Sequence, residues 1–310
     1  MYRDRTIAAV VPAHNEEAHI ADVIRGMPEL VDHIVVVDDA STDGTASIAE
    51  STADARVVVL RHEENQGVGG AILTAHRRAL DLGSDIDVVF AGDDQMDPQY
   101  LPALLDPIID GGYGFTKANR FFSRGSFAGM PRHRVFGNIV LSFLTKLASG
   151  YWHLFDPQNG YTAITRQALE LLPFDEIAKG YEFENDLLIN LNILGIRALD
   201  VSVPARYGQE VSGIRLRQVI PAIGWLLFRG FWKRLIWKYT VRSFSPIALF
   251  FFTGLALVAW GVGFGIWVVA QTIGPGVATT GTVLLSVVPF LIGVQLLISA
   301  LVLDIQESPD

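Results

Sequence analysis

Residues 243–303 form a run of 61 positions without one Asp, Glu, Lys, Arg or His. Within it lie two apolar stretches, 247–270 and 282–303, joined by Gln271-Thr272-Ile273-Gly274-Pro275-Gly276. A helix needs about 20 residues to cross a bilayer, and each stretch has them. Neither stretch shows a polar face at helical spacing, as a helix at the surface of a soluble core would. The pattern predicts two transmembrane helices. Arg215, Arg217, Arg229, Lys233, Arg234, Lys238 and Arg242 precede the first stretch, whereas the connecting loop is uncharged. By the positive-inside rule the N-terminal part is cytoplasmic, the loop external and the tail, 304–310, cytoplasmic again, in the cell membrane. Across 215–242, Trp225, Phe228, Phe231, Trp232, Leu235, Ile236 and Trp237 interleave with the basic residues. Two readings stand for this segment: amphipathic helices in the headgroup region, or packing against the globular domain. Gly254, Gly261 and Gly265 would permit close helix contact, including formation of a homo-oligomer.

Residues 6–214 carry a different rhythm. Apolar strand-like runs at 7–11, 34–38, 57–61, 88–91, 115–117 and 198–203 alternate with helical patterns at 16–27, 45–53, 70–82 and 102–109. Such alternation predicts an α/β domain with a mostly parallel, helix-covered sheet. The stretch 121–131, with Gly125 and Gly129 among small and polar residues, reads as a mobile loop. Pro12 ends the first apolar run too early for a signal-peptide core, so a first strand is expected there. A net charge of −9 argues against a nucleic-acid partner, and the lack of cysteine excludes disulfides and thiolate chemistry.

Two of the apolar runs break off into acid: Val35-Val36-Val37 into Asp38-Asp39-Ala40-Ser41-Thr42-Asp43-Gly44-Thr45, and Val88-Val89-Phe90-Ala91-Gly92 into Asp93-Asp94-Gln95-Met96-Asp97. Both clusters fall at strand C-termini, where open α/β sheets bind ligands. Carboxylates there cannot hold an anion directly, but they can hold a divalent cation that does. The expected site is therefore metal-assisted and takes a phosphorylated substrate. Gly67-Val68-Gly69-Gly70 opens a helical pattern and supports two readings, backbone N–H groups facing a phosphate or a tight turn. The seven histidines show no metal-ligand spacing.

In order along the chain, Val11-Pro12-Ala13-His14-Asn15-Glu16-Glu17, the Asp38–Thr45 segment, Asn119-Arg120, the Arg132/Arg134 pair, Asp156-Pro157-Gln158-Asn159-Gly160-Tyr161 and Arg206-Tyr207-Gly208 resemble the motifs of family 2 glycosyltransferases. The resemblance is to the polyprenyl-phosphate branch related to dolichyl-phosphate mannose synthase. It implies a GT-A fold over 1–214 and, with some relatives, two C-terminal spans. It further implies transfer of a hexose, with inversion, from a nucleotide sugar (GDP-mannose or a UDP-hexose) to polyprenyl or dolichyl phosphate. The resemblance places nucleotide contacts at Pro12, His14, Asn15, Glu16, Asp38, Asp39 and Gly69. It places a Mg²⁺ or Mn²⁺ at Asp93 and Gln95. One departure stands out: Ala91 occupies the first position of the family's Asp-x-Asp.

A phosphate acceptor is largely dianionic at neutral pH and needs cationic positioning rather than a base. Arg120, Arg132, Arg134 and Arg206 are the candidates, since guanidinium forks fix phosphate oxygens. Asp156 and Gln158 are expected near the acceptor or sugar. Glu184 and Asp186 have two readings, as groups that orient sugar hydroxyls or act as base for an alcohol acceptor, or as charges stabilising a helix N-terminus. Asp38 and Asp43 have the further reading of turn formation and helix capping. Two alternatives accompany the main expectation: transfer to a lipid hydroxyl, and a membrane-anchored, non-catalytic nucleotide-sugar-binding protein, for which Ala91 is the support.

Overall fold

A computed structural model of the chain describes residues 1–93, 95–120, 132–156, 159–204, 216–273 and 277–309, with the backbone alone for 132–136, 138 and 216–220. The loop expected at 121–131 lies outside the described residues. The chain divides into two compact units, one built on Met1–Phe231 and one on Trp232–Ser308.

The first unit is a seven-stranded sheet: β1 (Ile7–Ala13), β2 (His33–Asp38), β3 (Val57–Arg61), β4 (Ile86–Val89), β5 (Phe115–Asn119), β6 (Thr162–Thr165) and β7 (Ala198–Ser202). The spatial order is β3-β2-β1-β4-β6-β5-β7. All neighbours are parallel except β6, which runs antiparallel to both β4 and β5. Side-chain alternation splits the interior into two layers. Ile7, Ala9 and Val11 with Ile34 and Val36 face α1 (Ile20–Arg25), α2 (Thr45–Ser51) and α4 (Leu101–Gly111). Ala8, Val10, Val35 and Val37 face α3 (Val68–Asp81), α6 (Arg166–Leu171) and α7 (Phe183–Ile193). Burial on both faces explains why β1 and β2 read as unbroken apolar runs.

The helix expected at 16–27 begins only at Ile20, because Glu16 and Glu17 are held in the turn before it. Next to the sheet, α5 (Arg132–Ser149) and α8 (Leu216–Ile236) share a small apolar core: Ile223 and Leu227 meet Ala148 and Ile189. Packing therefore accounts for the Ile223 and Leu227 face of α8, while Trp225 and Phe228 remain exposed. This packing carries the first unit past the expected boundary at residue 214.

In the second unit a π-helical turn, Trp237–Arg242, leads into α9 (Pro246–Thr272) and α10 (Thr280–Gln306), which among the described residues are the two helices long and apolar enough to cross a membrane. Their glycines serve the hairpin itself. A Cβ at Gly254 would come within 2.9 Å of Gly293 O, one at Gly261 within 2.6 Å of Phe290 Cβ, and one at Gly265 within 2.8 Å of Ser286 Oγ. These positions, expected to serve association between copies, are thus already filled by α10. A further expectation about this segment changes. The final helix runs through Gln306, so Asp304 is not part of a free tail. Arg234, one of the basic residues before the first apolar stretch, is buried, with Nη1 and Nη2 donating to Asp304 at 2.5 and 3.0 Å, and Tyr239 OH donates to the same carboxylate at 2.5 Å.

Candidate active site

At the C-terminal ends of β1 and β2 the following loops are stitched together. Asn15, in a left-handed conformation (φ 57°), accepts from the Thr42 N–H at 2.9 Å, and its own N–H donates to Ser41 Oγ. The Glu16 N–H donates to Thr45 Oγ1, and the Gly44 N–H to Glu17 Oε2. Asp43 Oδ1 accepts from the Thr45 N–H at 3.0 Å, the helix-start role expected of it. Pro12 lies within β1, paired in register with Val37, and Ala13 continues the strand beside Asp38. His14 is exposed above this junction, Nδ1 2.8 Å from Asp39 O, with Asn65 beside it.

The paired aspartates look inward. Asp38 is buried and accepts from the Ser41 N–H at 3.1 Å, forming a turn. Asp39, expected to contact the nucleotide, is 3 % exposed and surrounded by protein donors. It accepts from the Gln66 N–H (2.8 Å) and the Gly67 N–H (2.9 Å), and His62 Nδ1 lies 2.7 Å from Oδ1. Its carboxylate thus shapes the loop before α3. Gly69 is corrected too. Its N–H donates to Lys179 O at 2.9 Å, and a Cβ there would lie 2.7 Å from Phe183 Cβ. The glycine lets α3 and α7 approach, and it offers no N–H to a phosphate.

Beyond β4 and β5 a polar cleft of about 190 Å³ is lined by Asp93, Gln95, Asp97, Arg120, Asn159 and Gly160 among others. Asp93 Oδ1 accepts from the Gln95 N–H at 3.1 Å, which folds both side chains into one turn. Asp97 caps the 3₁₀ turn Pro98–Tyr100, accepting from the Gln99 N–H at 3.0 Å. Ala91 lines the cleft and brings no oxygen; its N–H donates to Met96 Sδ at 3.1 Å. Ala91 and Met96 also border an apolar cavity of about 230 Å³ with Val23, Met27 and Phe90. Among the described residues no group of three His, Asp or Glu side chains converges on one point. Asp93 and Gln95 therefore provide two hard oxygen donors on an open cleft. That set fits a cation such as Mg²⁺ that completes its shell with water and substrate phosphates, and it does not fit a closed protein cage.

Arg120 reaches the cleft from the end of β5 in a fixed orientation. Its Nε donates to Asp156 Oδ2 at 2.7 Å and its Nη2 to Oδ1 at 2.9 Å, a two-point fork. Asp156 is buried, so it holds Arg120 instead of approaching substrate as expected. Glu184 lies in the first turn of α7. A Cβ on Gly160, in the cleft lining, would sit 3.8 Å from its Oε1. Burial pushes the Glu184 carboxyl up to about 7, its own backbone N–H works against this, and the Glu182 charge adds to it. Asp186 turns elsewhere, its Oδ2 accepting from the Ala178 N–H at 2.8 Å, so its carboxylate anchors a loop. The side chains of Arg132 and Arg134, and residues Asp94, Gln158 and Arg206, lie outside the described residues. Sequence reasoning missed Lys117, which is buried, and Asp200, whose side chain is 6 % exposed beside it. Their signal was available as charged residues inside strand candidates, where an unpaired charge is not tolerated.

The sequence profile of the family described as glycosyl transferase family 2 matches residues 8–172. The chain is 33 % identical over 201 residues to a UDP-N-acetylglucosamine–dolichyl-phosphate N-acetylglucosaminyltransferase of Methanococcus voltae, covering 60 % of this chain and 80 % of that protein. It is 28 % identical to an undecaprenyl-phosphate mannosyltransferase of Micrococcus luteus, covering 64 % of this chain and 82 % of the relative. Among solved structures it matches glucosyl-3-phosphoglycerate synthase from Mycobacterium tuberculosis in complex with Mn²⁺, UDP-glucose and phosphoglyceric acid. The TM-score is 0.53 at 28 % identity, over 74 % of this chain and 80 % of that one. The sheet is that of a GT-A-like glycosyltransferase, and the chain belongs to glycosyl transferase family 2.

Proposed function

We propose that this family 2 glycosyltransferase moves a hexose or hexosamine, with inversion, from a nucleotide diphosphate sugar to polyprenyl phosphate at the cytoplasmic face of the membrane. The observation that carries the reading is a single cleft holding both Asp93 with Gln95 and a guanidinium fixed by a buried carboxylate. The two relatives named for dolichyl- and undecaprenyl-phosphate acceptors support the acceptor class. The basic residues before α9 and the uncharged connection support the orientation.

Asp93 and Gln95 would hold Mg²⁺ or Mn²⁺, which neutralises charge on a departing diphosphate. Arg120, fixed by Asp156, positions the acceptor phosphate, and its charge offsets repulsion between two anionic substrates. The acceptor needs no deprotonation, because its second pKa is near 6. With its pKa about 7, Glu184 is roughly half protonated at neutral pH. In its protonated form the carboxyl adds no negative charge beside the cleft and can donate to a sugar hydroxyl.

The same Glu184 favours a second reading, transfer to a lipid hydroxyl with its carboxylate as general base. Glu184→Gln separates the two: turnover persists with a phosphate acceptor and nearly vanishes with an alcohol. The primary test incubates the detergent-purified protein with labelled UDP- and GDP-sugars, polyprenyl phosphate and Mn²⁺ or Mg²⁺. Lipid-extractable, mild-acid-labile label is expected with one donor. No lipid-linked label with any donor overturns the proposal.

A further inference from the structure

Lys117, in the middle of β5, is 1 % exposed, a rare setting for a lysine. Its ammonium has three protons to place. Nζ donates to Phe155 O at 2.5 Å and to Asp156 O at 2.8 Å, and Asp200 Oδ1 lies 3.1 Å away as its ion-pair partner. Asp200 stands beside Lys117 in register on β7. Its other oxygen accepts from Asn119 Nδ2 at 2.7 Å and from the Phe155 N–H at 2.5 Å. One buried ion pair therefore grips Phe155 at both backbone ends and Asp156 at its carbonyl. Lys146 reinforces the turn from α5: its Nζ donates to Trp152 O at 2.6 Å and sits 3.6 Å from the centroid of the Phe155 ring.

The gripped residue is strained. Asp156 has φ 48°, a left-handed conformation that a non-glycine residue keeps only where its surroundings over-determine it. In that conformation its carboxylate receives the Arg120 fork. Neither Lys117 nor Asp200 lines the cleft; their hydrogen bonds reach it through the Phe155–Asp156 backbone and through Asn119, the residue before Arg120. A buried ion pair often adds little stability over apolar residues of similar shape. Its effect here lies in where it fixes the backbone. We infer that Lys117 and Asp200 are positioning residues for the acceptor: they hold the Asp156 turn so that Arg120 presents its guanidinium to the acceptor phosphate. This rests on the reading of Arg120 as acceptor-phosphate ligand.

The test is a mutant cycle on the full-length protein in detergent, with kcat and KM for polyprenyl phosphate and for the nucleotide sugar, and the melting temperature of each variant. Lys117→Met combined with Asp200→Asn removes both charges and leaves no unpaired ion. It is expected to lower kcat/KM for the acceptor about 10- to 100-fold, the scale of a small misplacement, with the donor KM within about 2-fold of wild type. Added to Arg120→Gln, it is expected to cause no further loss, since both act through one group. Wild-type acceptor kinetics in the pair variant, or losses that multiply with Arg120→Gln, overturn the inference. Should the pair variant not fold, Asp200→Asn alone keeps an acceptor for the Phe155 N–H. It is expected to show a smaller acceptor defect with the same non-additivity, and wild-type behaviour there also overturns the inference. Arg120→Gln with unchanged acceptor kinetics sinks the underlying reading of the site, and the inference with it. A crippled Arg120→Gln beside a silent pair variant sinks the inference alone.

Discussion

Glu184→Gln should stabilise this protein in alkaline but not in acidic solution. Phe183, packed against Gly69, fixes the start of α7, and Glu184 follows it half-buried beside the cleft. Burial moves its pKa from 4.5 to about 7. Each tenfold change in an ionisation equilibrium is worth about 1.4 kcal/mol, so keeping the charged form in place costs roughly 3 kcal/mol, and about 2 once partial exposure is allowed for. Because the folded-state pKa is the higher one, the native protein binds more protons than the unfolded chain between pH 4.5 and about 7. Stability therefore falls as pH rises through that window, and the penalty is complete above it. Glutamine never ionises. Pulse proteolysis of detergent-solubilised protein across a urea gradient reads the difference. Wild type and Glu184→Gln are expected to match near pH 4.5, with the variant more stable by about 2 kcal/mol at about pH 8. An equal gap at both pH values, or a more stable wild type at the alkaline one, refutes the reasoning.

Asp93→Asn is expected to lower turnover by about 100-fold and raise the Mn²⁺ concentration needed for half-maximal rate; an unchanged metal titration contradicts the cleft assignment. Asp304→Asn leaves a buried Arg234 without its carboxylate and is expected to destabilise by about 3–5 kcal/mol, whereas Arg234→Met with Asp304→Leu restores most of the loss. Thermal denaturation in one detergent compares them, and equal melting temperatures for both variants and wild type refute that clamp. Asp39→Ala strips the Gln66 and Gly67 N–H groups of their acceptor and is expected to cost about 2–4 kcal/mol. Hydrogen exchange at residues 62–67 should rise with it, and unchanged protection there contradicts the loop-shaping role.

Local pattern carried much of this architecture. β1 and β2 are continuous apolar runs because both sheet faces are covered there, and α9 and α10 are uncharged over their apolar lengths, so both classes were legible. β6 was not: it is four residues long, and it exists because Thr162–Thr165 fits antiparallel between β4 and β5, a pairing set by residues distant in sequence. The site divides in the same way. Asp93, Gln95 and Arg120 stand where strands end, a place that local pattern marks. The roles of Asp156, Asp39 and Gly69 escape it because each depends on one distant partner: Arg120, the loop before α3, and Phe183. A glycine that cradles a phosphate and one that admits a neighbouring helix look alike in sequence. Arg234 reads only as one more basic residue before the first span because Asp304, 70 residues later, is invisible to local pattern.

The acceptor comparison bears most directly on the central claim. Polyprenyl phosphate and the free polyprenol of the same chain length are offered at matched concentrations with the labelled nucleotide sugar that supports turnover. Label only in the phosphate-containing lipid, released by mild acid and retained by Glu184→Gln, is the expected result. Label in the free alcohol, stable to mild acid and abolished by Glu184→Gln, would contradict the account.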